Sequence, residues 1–148
     1  MAWSNDLLPM LATFVLGMMT ADVVFDNVAT PEAALSFYQT IIPSFALTIV
    51  VPAVLGAMAL CVVHANLAPQ QPQLQDRLIA LFFGVAAPYF GVVVLPAENA
   101  LLSMKNTRDA GFAGAMATIT TGHFVLVGLA VASLVLLYLR PSAHAKRA

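Results

Sequence analysis

Four long apolar stretches alternate with short polar segments along the chain, and this pattern predicts four membrane-spanning helices. They cover about residues 7–24, 38–64, 78–95 and 117–139, close to or above the roughly 20 apolar residues that cross a hydrocarbon layer. Pro9 falls in the first turn of the first stretch, where its missing N–H costs nothing. Ahead of the second, Thr30-Pro31-Glu32 reads as an N-cap followed by proline at the first helical position. That helix therefore starts before its apolar run and passes through Tyr38 and Gln39. The third stretch continues past Leu95 toward Lys105, and Arg140-Pro141 stops the fourth. Pro43, Pro52 and Pro88 lie inside spans, and each predicts a kink. Strand alternation is absent. The expected fold is all-α: one integral membrane domain over residues 1–148, an antiparallel four-helix bundle kinked at prolines, with a polar connection at 68–73 and a short basic tail at 141–148.

Composition sharpens this. Of 148 residues, 61% are apolar and 9% charged, against about 45–50% and about 25% in soluble domains. A mean hydropathy of +0.90 excludes a soluble globular domain and a disordered chain. A net charge of −1 leaves no basic footprint for nucleic acid, and the single cysteine, Cys61, rules out an intramolecular disulfide. Four spans put both termini on one side, with Arg77, Arg140, Lys146 and Arg147; Lys105 and Arg108 lie on the other. This asymmetry places the termini in the cytoplasm. The first residues carry Asp6 and no Lys or Arg, so a cleaved signal peptide is not expected, and Trp3 reads as an interfacial anchor.

Small residues at four-residue spacing let helices approach closely in lipid. Gly114, Thr118 and Gly122 form such a seam on the fourth span, continued by Gly128 and Ala132. Ala53 with Ala57, and Ala87 with Gly91, form others. These seams serve the bundle itself, a homo-oligomer or a larger membrane complex.

Ionisable groups in spans are costly, so each is a functional candidate. Here they gather at one level. Asp22 and Asp26 lie one turn apart near the outer end of the first helix. Tyr38 and Gln39 stand at the outer start of the second. Glu98 and Asn99 follow the outer end of the third, and His123 lies about a turn inside the fourth, after Thr118, Thr120 and Thr121. His123 is the natural general acid or base. Carboxylates with one imidazole suit Fe, Mn or Zn, yet no HxxxH, HExxH or ExxH pattern occurs, so no metal and no cofactor is assigned. His64 and His123 lie toward opposite faces of a roughly 30 Å layer, which excludes a bis-histidine haem.

The chain resembles the anthrone-oxygenase-like family of small four-helix membrane proteins. The likeness is carried by Pro31-Glu32-Ala33-Ala34, Phe37-Tyr38-Gln39 and Ile42-Pro43 at the second helix, and by Leu95-Pro96-Ala97-Glu98-Asn99-Ala100-Leu101 at the third. A charged loop from Lys105 to Asp109 then leads through Phe112 to a fourth helix containing His123. The family's Pro-Leu-Asn-like element is replaced by Pro96-Ala97-Glu98-Asn99, and Gly122 and Phe124 flank His123 where the family tends to have Trp and Arg. The resemblance implies oxidation of a polycyclic phenol at the membrane without an evident bound cofactor, with Glu98, Asn99 and His123 as the catalytic set.

Two functions follow as expectations. In the first, the outer polar site binds a flat hydrophobic small molecule and oxidises it, with Tyr38, Gln39, Asp22 and Asp26 contacting the ligand. In the second, the chain is a non-catalytic subunit of a larger respiratory or photosynthetic complex and its seams face partner helices.

Overall fold

The computed structural model of the chain describes residues 3–44, 46–67 and 74–139, and all its regular elements there are helical. They are α1 (Trp3–Val28), α2 (Pro31–Ile41), α3 (Val51–Leu67), α4 (Leu74–Tyr89), α5 (Leu95–Leu102) and α6 (Phe112–Tyr138). Wide π-type turns at Ala46–Val50 and Phe90–Val94 lead directly into α3 and α5. The Trp3 side chain, the connection at 68–73 and the tail at 140–148 lie outside the described residues.

Three of these stretches are long and apolar enough to cross a bilayer: Leu7–Val28, Leu74–Leu102 and Phe112–Tyr138. The fourth apolar helix, Thr48–His64, is shorter. Their surfaces match a lipid solvent, since Met10, Val28, Leu60 and Val92 are each more than two-thirds exposed. In water such apolar area would be a liability; in lipid it costs nothing.

The second stretch departs from an unbroken helix. Thr30 caps α2, its hydroxyl accepting the Ala33 N–H at 3.3 Å, and Pro31 opens the first turn. The helix then stops at Ile41, just before Pro43, and resumes at Ala46. Pro88 is absorbed within α4. The wide turns instead precede Pro52 and Pro96. The physical reason is shared: a helical proline offers no N–H to the carbonyl four residues back and its ring crowds that carbonyl, so hydrogen bonding shifts to the i→i+5 register. The Leu95 N–H bonds Phe90 O in this way.

Helix α1 packs on both α3 and α6, and α4 packs on the same two, closing a ring around an interior; α2 lies against α5. The core is layered. Leu8, Cys61, Val62 and Ile79 fill one end, Met19, Val94 and Leu126 the middle. Leu35, Tyr38, Ile42, Leu101, Phe112 and Ile119 cap the other end. Among the seam glycines only Gly122 is packed: a Cβ there would collide with Val94 Cγ2. Gly17, Gly56, Gly84, Gly91, Gly114 and Gly128 face open space.

Candidate functional site

Between the middle layer and the cap, four elements bring polar side chains into one buried chain of contacts. From α2, the Tyr38 hydroxyl donates to Asp26 Oδ1 at 2.5 Å. The other oxygen of Asp26, on α1, lies 3.0 Å from His123 Nδ1 of α6. On the far side of the ring, Nε2 faces Glu98 Oε1 of α5 at 3.4 Å. The Asp26 side chain is fully buried, that of His123 is 1% exposed and that of Glu98 is 8% exposed. Glu98 is therefore the member through which the chain meets its surroundings.

The backbone explains the convergence. Asp22 and Asp26 share one face of α1 a turn apart, and Asp22 is half-buried beside the cluster. Gly122 lets α6 approach Val94 and Tyr89, which brings the next residue, His123, toward the chain leading into α5. Val94 itself is completely buried and ends the wide turn, from which α5 carries Glu98 inward.

The arrangement constrains protons. Each ring nitrogen faces a carboxyl oxygen, so an imidazolium would donate on both sides. A neutral ring donating from Nδ1 to Asp26 presents a lone pair at Nε2, which only a protonated Glu98 can satisfy. The Asp26 contact has ordinary hydrogen-bond length, and the Glu98 contact is longer than the usual 2.7–3.2 Å. Asp26 thus orients the imidazole, and the Nε2 side is the loose one. Among the described residues no group of three or more His, Cys, Asp or Glu side chains is disposed to hold a metal ion.

Of the other residues expected at this site, two lie apart from the chain of contacts. Asn99 is exposed, because its neighbour Glu98 takes the inward position and successive helical residues point about 100° apart. Gln39 is committed to the backbone: its Nε2 donates to Leu101 O at 3.1 Å and Met104 O at 2.7 Å, tying α2 to the end of α5 and the turn that follows it. Gln39→Ala should therefore cost about 1–2 kcal/mol of stability, read by thermal unfolding in detergent. Tyr38, expected to touch a ligand, donates its hydroxyl to Asp26. Spacing along the chain gave neither His–carboxylate pairing: Asp26 stands 97 positions from His123, and Glu98 lies on a different helix from it.

Below the cluster lies a partly open apolar cavity of about 150 Å³ lined mainly by α1, α3, α4 and α6. Met19 and Leu126 line its upper end; along α6, Leu126 stands three residues, less than one helical turn, from His123, while on α1 Asp26 lies about two turns beyond Met19. Ser133 is the one hydroxyl in its wall, and that hydroxyl donates to Leu129 O. No family model matches the chain, and no similar protein was found among curated proteins or solved structures.

Proposed function

We propose that the chain is a four-span membrane protein, termini in the cytoplasm, that takes a flat hydrophobic small molecule from the lipid into this cavity and handles one of its protons at His123. The observation that carries the reading is a buried Asp26–His123–Glu98 array whose His123 stands less than a turn along α6 from Leu126 in the wall of an apolar cavity. Apolar pockets with a few convergent polar groups are the usual form of small-molecule sites. Asp26 holds Nδ1, so Nε2 is the working nitrogen, and its long contact to Glu98 is the one that opens when a guest arrives.

By its resemblance to anthrone oxygenases, the guest is a polycyclic phenol with an acidic ring methylene. His123 Nε2 takes a methylene proton, and the resulting imidazolium, held at Nδ1 by Asp26, returns it to the departing oxygen atom. Dioxygen is the oxidant: the methylene becomes a ketone, and its two hydrogens leave with the second oxygen atom as water.

A second reading has its own support. Gly91, Gly114 and Gly128, from the small-residue seams, have open space where a Cβ would stand and suit contact with other helices, as in a non-catalytic subunit.

Equilibrium dialysis of anthrone against the detergent-purified protein separates the two. Ala12 lines the cavity and is 3% exposed. Ala12→Phe should fill the space and weaken binding by at least about tenfold. His123→Gln should keep binding within about threefold and abolish oxygen uptake by general-base loss. Wild-type protein that binds no anthrone up to its solubility limit, and co-purifies with stoichiometric partner chains, would overturn the small-molecule reading.

A further inference from the structure

A second concave site lies at the cap end, outside the array just described. A groove of about 480 Å³ runs between α2 and the loop at 103–111, lined by Glu32, Ser36, Gln39, Lys105, Asn106 and Arg108 among others. Lys105 and Arg108 are exposed, and neither forms an ion pair among the described residues.

The loop that presents them is held in place. Asp109 Oδ2 accepts the Lys105 N–H at 2.6 Å and the Asn106 N–H at 3.5 Å. Asn106 Oδ1 accepts the Arg108 N–H at 2.9 Å, leaving its amide NH₂ as a donor. Gln39 ties the loop's first turn to α2 through Met104 O, and the Thr107 hydroxyl donates to Glu32 Oε1 at 3.1 Å across the groove. Asp109 is turned to the loop's own N–H groups and does not line the groove, so the lining carries two cations and one carboxylate, Glu32.

Depth matters as well. The candidate spans end at Leu102 and begin again at Phe112, so the groove sits where the chain leaves the bilayer. Lipid phosphates lie at that level, within reach of a lysine and an arginine presented there.

We propose that this groove binds an anionic phosphate group, with Lys105 and Arg108 as its charge partners and the Asn106 amide and Ser36 hydroxyl as neutral donors. An arginine and a lysine suit a phosphate together, the first as a fork and the second as a point charge. A phospholipid headgroup and a free phosphate compound share this chemistry, and the assay separates them.

The test uses the full chain in nanodiscs of phosphatidylcholine, or with roughly one third phosphatidylglycerol, and follows thermal unfolding by far-ultraviolet circular dichroism. Binding to the folded state should raise the wild-type midpoint by a few degrees. Phosphatidylglycerol producing the rise identifies a lipid headgroup; inorganic phosphate producing it in phosphatidylcholine discs, against chloride at equal ionic strength, identifies a soluble source. In either case Lys105→Gln/Arg108→Gln should abolish the rise. Arg77→Gln, an exposed cation at the start of α4 and outside the groove, should leave it intact. A rise that survives the double substitution, that is lost equally in Arg77→Gln, or that neither anion produces, overturns the proposal. Both substituted residues are exposed, so loss of folding does not confound the result, and oxygen uptake with anthrone is not expected to change.

Discussion

Asp26→Ala is expected to lower stability by about 3–5 kcal/mol, the usual consequence of removing one member of a buried charged pair. The size follows from what the carboxylate holds. One oxygen accepts the Tyr38 hydroxyl and the other faces His123 Nδ1, while the side chain itself has no exposure. Alanine would leave a buried phenol and a buried ring nitrogen without partners, and Glu98 would have to balance the imidazole alone. Asp26→Asn keeps one oxygen for Tyr38 and should cost about 1–3 kcal/mol, because its NH₂ now opposes the ring nitrogen that Asp26 accepted from. Tyr38→Phe should cost about 1–3 kcal/mol in the wild type and much less once Asp26 is alanine. Unfolding in detergent, followed by circular dichroism, measures all three. A cost for Asp26→Ala below about 1 kcal/mol, or additivity with Tyr38→Phe, would mean that these contacts do not act as a unit.

The pattern of the chain made part of this array legible. Apolar runs gave the helices because lipid demands them, and the cost of ionisable groups there singled out Asp22, Asp26, Glu98 and His123. The level at which these groups lie could be read from their distance to the ends of the runs. Their directions could not. Glu98 and Asn99 are adjacent, as are Tyr38 and Gln39, and one of each pair necessarily points away from the other by about 100°. Which one turns inward depends on the register of the preceding segment. That register is reset by the wide turn at Phe90–Val94 before α5 and by the capped start of α2. A wide turn admits one more residue than an α-turn and so rotates everything after it by about 100°. Prolines flagged both irregular regions, but not which proline would be absorbed, as Pro88 is, and which would widen the turn ahead of it. Pro43 marked a kink but not a full break, because the apolar Ile41-Ile42 and Phe45-Ala46 on either side let the span read as continuous.

The seams illustrate the same division. Gly114 and Gly122 look equivalent at eight-residue spacing, yet Gly114 faces open space and Gly122 faces a filled core. This difference sets the second large effect. Gly122→Ala should destabilise the protein by about 2–3 kcal/mol, whereas Gly114→Ala should be neutral or slightly stabilising through helix propensity. The new methyl at position 122 meets a β-branched side chain that is completely buried and stiff at χ1, with Tyr89 close behind. Val94 cannot swing away, so α6 must move outward and carry His123 away from Glu98, stretching a contact that is already 3.4 Å long. Gly122→Ala should therefore weaken chemistry at Nε2 more than it weakens guest binding in the cavity below. The compensating change is specific. Val94→Ala alone should cost about 2–3 kcal/mol by leaving a void, but combined with Gly122→Ala the total should fall short of the sum by at least about 1 kcal/mol. Unfolding midpoints of the four proteins decide the matter. Strict additivity would show that α6 and the wide turn do not pack as described, and that some other contact holds His123 in place.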